Sequence, residues 1–264
     1  MTDTAQQQKK TLLMTEGSIW KSILLFSVPL ILGNLLQQLY NTADSVIVGN
    51  FLGSNALAAV GSSGSPIYLL IGFSQGVAVG AGVVVSQYLG AKDKKETRIA
   101  VHTSLAIAAI LGLILTVGGI AVSRTLLVWM NTPDEVLGDA VTYMKLYFGG
   151  VLFSVIYNMA AGILNAAGNS RRSVLYLACA SITNIILDLV FIAGLKMGVA
   201  GAAIATDISQ LVSCVLSLRF LLTLDWTSTF EKEMTMFWMP VGRPMRMMRE
   251  VIRLSGRTEE SSTL

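Results

Sequence analysis

Long apolar stretches alternate with short polar breaks along this chain. Windows of about 20 apolar residues pick out six segments. They cover residues 19–44, 56–88, 99–122, 143–165, 173–195 and 199–222. At about 1.5 Å of rise per helical residue, each can cross roughly 30 Å of hydrocarbon. The expected fold class is an all-α membrane protein, with a six-transmembrane-helix bundle over residues 19–222. Residues 1–18 read as a polar N-terminal segment and residues 223–264 as a basic, methionine-rich tail. The first stretch is interrupted by Asn34, Gln37 and Gln38 and lacks a small-x-small cleavage site. It therefore reads as a retained helix rather than a removed signal.

Composition strengthens the membrane reading. The 264 residues are 53% hydrophobic and only 13% charged, against about 25% charged in soluble domains. Between Asp44 and Lys92 there is no charged residue, which suits two spans and a short loop. Charge then sets the orientation. With the N-terminus inside, the inner face holds Lys9, Lys10, Lys21, Lys92, Lys94, Lys95, Arg98, Arg171, Arg172 and Arg219. The outer face holds only Arg124, Lys145 and Lys196. An excess of Lys and Arg marks the cytoplasmic side, so both termini are expected there, in a plasma membrane.

Against this background two acids stand out. Asp188 lies inside the fifth apolar segment, and Asp44 at the outer end of the first. A carboxylate in hydrocarbon costs roughly 2.5–3.5 kcal/mol by insertion scales and usually serves ions, protons or cationic cargo. Asn184 lies one helical turn before Asp188 and Ser181 extends the stripe. Thr206 and Asp207 enter the sixth segment from its outer side, and Tyr40 and Asn41 precede Asp44. One shared polar cavity is expected. Asn158 is a further polar residue in mid-segment. Burial disfavours the charged form of a carboxyl, and a nearby cation favours it. Proton and cation then compete for one site, the minimum an antiporter needs. Either H+ or Na+ at Asp44 and Asp188 fits.

Other chemistry is not expected. The chain has no glycine-rich phosphate loop followed by Lys-Ser/Thr, no His/Cys metal cluster and no nucleophile motif. Neither an enzymatic activity, a cofactor nor a nucleic-acid partner is anticipated. Cys179 and Cys214 fall in apolar segments and read as small buried hydrophobes. Gly72, Gly76 and Gly80 recur every four residues and predict a close helix contact. Pro29 should bend the first helix.

Three stretches carry a family resemblance: WKSILLFSVPLILGNLLQQLYNTADSVIVGNFLG, VSQYLGAKD, and NAAGNSRRS with ITNIILDLVFIAGLKMGVAGAAIAT. Together they resemble the multidrug and toxic compound extrusion (MATE) family, within a superfamily that includes lipid and polysaccharide flippases. The resemblance implies a cation-coupled exporter of organic cations, with twelve helices in two six-helix lobes around a cleft. This chain resembles the first lobe. By the resemblance, Asp44 and Asp188 are the acids of helices 1 and 5. Tyr40, Asn184 and Thr206 are their neighbours, and Pro29 is the proline at which helix 1 bends. Asp207 has no counterpart in that pattern. A second lobe, or a second copy of this chain, would be needed to complete the cleft.

The tail bears on this. Arg249-Glu-Val-Ile-Arg-Leu-Ser-Gly-Arg257 echoes the entry to the first helix and then turns polar. It resembles the start of a second lobe that is cut short. The alternatives to an antiporter lobe are a flippase-like carrier, which would want a cationic cavity for anionic headgroups, and an inactive fragment.

Overall fold

The computed structural model describes residues 19–91 and 93–223. The N-terminal segment and the tail, with its echo of the first helix, lie outside the described residues. The described chain forms six long helices. They are α1 (Ile19–Leu52), α2 (Ser54–Gly90), α3 (Lys94–Trp129), α4 (Asp134–Ala166), α5 (Ser170–Asp188) and α6 (Gly198–Thr223). A π-helical turn, Leu189–Gly194, continues α5. By length and hydropathy, α2, α3, α4, α5 with its π turn, and α6 can each cross a membrane. In α1, Asn34, Gln37, Gln38 and Asn41 break the apolar run.

The helix ends follow local chemistry. The side chain of Asp93 accepts the backbone N–H groups of Lys95 and Glu96, both at 3.1 Å, and so starts α3. Asp134 and Glu135 fill the first turn of α4, where the helix dipole favours negative charge. The break between α1 and α2 falls on Gly53, with φ 88° and ψ −175°. That region is essentially open to glycine alone. These capped turns explain why α3 and α4 begin before the apolar runs at 99 and 143. Capping groups and first turns are polar, and hydropathy does not see them.

Helix α4 runs through the middle of the bundle and packs on α2, α3 and α6. Its closest backbone-to-backbone approach at a described glycine is to α2. A Cβ on Gly162 would stand 2.6 Å from the carbonyl oxygen of Ala78, and one on Gly82 would stand 3.0 Å from that of Gly162. Two backbones therefore touch where both carry hydrogen in place of a side chain. Among the described residues the contact predicted for Gly72 and Gly76 is absent, since none lies within 4 Å of a Cβ on either. Tyr68, Leu69 and Phe73 on the same stretch are exposed too. Gly82, two residues past the repeat, makes the close contact instead.

Pro29 lies within α1, which runs uninterrupted through it. The helix also continues two turns past Asp44, to Leu52. Asp44 is thus not at an outer helix end, as the apolar pattern suggested. It lies well inside α1 and is only 8% exposed.

Candidate functional site: an intramembrane acid pair

Three helices converge on the two acids. Helix α1 carries Tyr40 and Asp44 one turn apart. Helix α5 carries Asn184 and Asp188 at the same spacing. Helix α6 supplies Thr206. Asp188 and Asn184 are fully buried, and Thr206 is nearly so. The Thr206 hydroxyl ties the helices together. It accepts from Tyr40 Oη at 3.5 Å and from Asn184 Nδ2 at 3.4 Å, and donates to the Ala202 carbonyl at 3.1 Å. A hydroxyl offers one donor and two acceptor positions, so that of Thr206 is saturated.

The carboxyls are in the opposite condition. Asp44 and Asp188 lie within side-chain hydrogen-bonding reach of each other. Taken as ionised, each can only accept. Asp44 Oδ1, Asp188 Oδ1, Asp188 Oδ2 and Asn184 Oδ1 are buried and receive no donor among the described residues. Four orphaned acceptors thus converge where burial makes an unpaired acceptor costly. One proton between the acids would turn an acceptor pair into a donor–acceptor pair. A small cation could instead bridge them.

Asp188 is also the last α-helical residue before the chain widens. Leu195 N–H reaches the Val190 carbonyl at 2.8 Å, five residues back, and Met197 N–H reaches that of Phe191 at 2.9 Å. Such wide turns occur frequently at functional sites. Lys196 and Gly198, both at positive φ, complete the turn into α6.

Helix α4 closes the site with two tyrosines that the sequence reading passed over. Tyr143 and Tyr147 are buried, with ring centroids 6.2 Å apart. Tyr143 lies within electrostatic reach of Asp44, Asp188 and Tyr40. Tyr147 lies within reach of Asp44 and Asp207. Their spacing of four residues, facing acids at the same depth, was the available signal. Asn158 is elsewhere. It is half-buried on α4, eleven residues past Tyr147, about 16 Å along the axis. The hydrogen bonds that join Tyr40, Asn184 and Thr206 do not include it. Asp207 follows Thr206 but faces α4.

Known proteins share this architecture. The family model MatE matches residues 29–190. The probable multidrug resistance protein YpnP of Bacillus subtilis (strain 168) is 31% identical over 208 residues, 79% of this chain and 47% of that protein. A crystal structure of MATE in the bent conformation superposes with TM-score 0.75 at 31% identity, over 81% of this chain and 48% of that one. A superfamily transporter from Pyrococcus furiosus does so with TM-score 0.75 at 33% identity, over 81% of this chain and 47% of that one. Its binding pocket is described as having reverse polarity, suggesting a different function. This chain spans about half the length of the curated relatives it matches. With residues 29–190 under the family model and the whole bundle superposing on MATE structures, the chain belongs to the MatE family.

Proposed function

We propose that the chain is one six-helix lobe of a cation-coupled antiporter that exports organic cations and drugs. Asp44 and Asp188 take up the coupling ion, H+ or Na+. Tyr40, Asn184 and Thr206 hold the two acid-bearing helices together. The observation that carries this reading is the set of four buried acceptors, at Asp44, Asn184 and Asp188, without donors among the described residues. A buried acid pair of this kind gains most from a proton or a cation. Release of one and capture of the other then share a single site. Pro29 lies in the same helix as Asp44, so a change at the acid has a place to bend α1.

The lobe works in the cell membrane with both termini cytoplasmic, and a second six-helix lobe or a second copy completes the cleft. The activity is transport, not catalysis. An acidic cavity suits cationic cargo and opposes the anionic headgroups that a flippase-like carrier would handle. That second reading is therefore disfavoured.

The test uses the purified chain in lipid nanodiscs and tetraphenylphosphonium as the cationic probe. The probe is expected to bind, and lowered pH or added Na+ is expected to displace it. Asp44→Asn and Asp188→Asn should each abolish that displacement while the protein stays helical and inserted. Displacement undiminished in Asp188→Asn would refute the reading.

A further inference from the structure

Asp207 takes no part in the acid pair. Successive residues of a helix point about 100° apart. Thr206 faces Tyr40 of α1 and Asn184 of α5, whereas Asp207 lies against α4. A Cβ on Gly150 would stand 2.0 Å from Asp207 Oδ1, 2.3 Å from its Cγ and 2.8 Å from its Cβ. The carboxyl therefore fills the space that any other residue at position 150 would need. Tyr147, one turn before Gly150, is buried within electrostatic reach of both Asp207 and Asp44. The Tyr147 phenol is thus within reach of the third acid and of one acid of the pair.

The surroundings of Asp207 offer no counter-charge. Among the described residues no lysine or arginine pairs with it. Helix α4 presents Tyr147 to it, while Lys145 is exposed. Helix α1 brings Tyr40 and Asp44, and α5 brings Asn184 and Asp188; Tyr40 and Asn184 bond to Thr206, not to Asp207. Helix α2 carries no charged residue along its length. An unpaired carboxylate among membrane helices is expensive, and two kinds of partner could relieve it. A hard metal cation wants several oxygen ligands. Among the described residues no group of three His, Cys, Asp or Glu is disposed to hold one. A proton needs only one oxygen, and Asp207 is half-buried rather than sealed.

We propose that Asp207 is a second proton-carrying site of the lobe, separate from the Asp44–Asp188 pair and linked to it by Tyr147. The lobe then takes up more than one proton. What this adds to transport rests on the function proposed above, but the presence of the proton does not.

Infrared spectroscopy of the purified full chain in nanodiscs tests it. At neutral pH exposed carboxyls are ionised, so the carbonyl stretch of protonated acids reports the buried ones. Asp207→Asn is expected to lose one component of that band and to keep the rest. The double variant Asp44→Asn/Asp188→Asn is expected to keep the Asp207 component. Added to that double variant, Tyr147→Phe is expected to shift the Asp207 component. Circular dichroism and gel filtration check folding. Should Asp207→Asn not fold, Tyr147→Phe in the Asp44→Asn/Asp188→Asn background decides: a shift of the remaining component sustains the proposal, and an unchanged band overturns it. A band unaltered in folded Asp207→Asn, or lost entirely in it, also overturns the proposal. Loss of one component sustains it whatever the double variant shows. A double variant indistinguishable from the parent would then count against the proposed function alone.

Discussion

The Thr206 hydroxyl has no bonding capacity left, and this makes it sensitive. Thr206→Val keeps the shape and removes the oxygen, leaving Tyr40 Oη and Asn184 Nδ2 without their acceptor. Each buried orphan costs about 1–3 kcal/mol. Both bonds are long, so the low end is expected, with a loss of about 1–2 kcal/mol in reversible unfolding from mixed micelles. Thr206→Ser should restore most of it. At this scale much of the site could be read in advance. Asn184 and Asp188 share a face by simple helical spacing, and carboxyls in apolar runs draw attention unaided. Tyr143 and Tyr147 did not, because tyrosine in an apolar run is usual core or interface material. Only the fold, which brings them within reach of Asp44, Asp188 and Asp207, gives them acids to face. Asp44 lies further inside α1 than the apolar pattern suggests, since polar neighbours such as Asn41 and Thr42 mimic a helix end.

Among the elements, α4 is the one on which the others depend, and its closest backbone-to-backbone approach at a described glycine is to α2. Gly162→Ala drives a methyl group to 2.6 Å from the Ala78 carbonyl oxygen. Backbone on both sides leaves little room to yield, and overpacking of this kind costs about 1–3 kcal/mol. Gly72→Ala meets nothing within 4 Å. Alanine is the better helix former by roughly 1 kcal/mol, so this change should be neutral or mildly stabilising. Thermal unfolding of the two variants side by side should separate them. Equal losses would mean that the face of α2 bearing Gly72 is covered. The pairing of Gly82 with Gly162 could not be read from sequence. A glycine repeat shows that a helix has a small face, but not which neighbour meets it. The π turn after Asp188 was hidden for a similar reason, because it depends on how α5 and α6 meet rather than on any local residue signal.

For the whole molecule, the order of helices and the charge bias of the connections give a topology that can be checked. In a background without Cys179 and Cys214, single cysteines at Ser54 and Pro133 should react with an impermeant maleimide from outside. Cysteines at Asp93 and Arg171 should not. All four positions are exposed, whereas nearby Ser170 is buried. Labelling of Asp93 from outside would reverse the orientation. The number of helices and their class were readable because hydrocarbon thickness and hydropathy set them directly. The arrangement around α4 was not, since apolar faces in a membrane carry little information about their partners.

The central functional claim is that Asp44 and Asp188 exchange a proton for a cation. It is tested most directly by proton release. The purified chain in nanodiscs, in weakly buffered solution, is mixed with tetraphenylphosphonium or with Na+, and the pH change is followed. The parent chain is expected to release protons as the cation binds. Asp44→Asn/Asp188→Asn should bind weakly and release fewer, with any remainder assigned to Asp207. Undiminished release from that double variant would contradict the account.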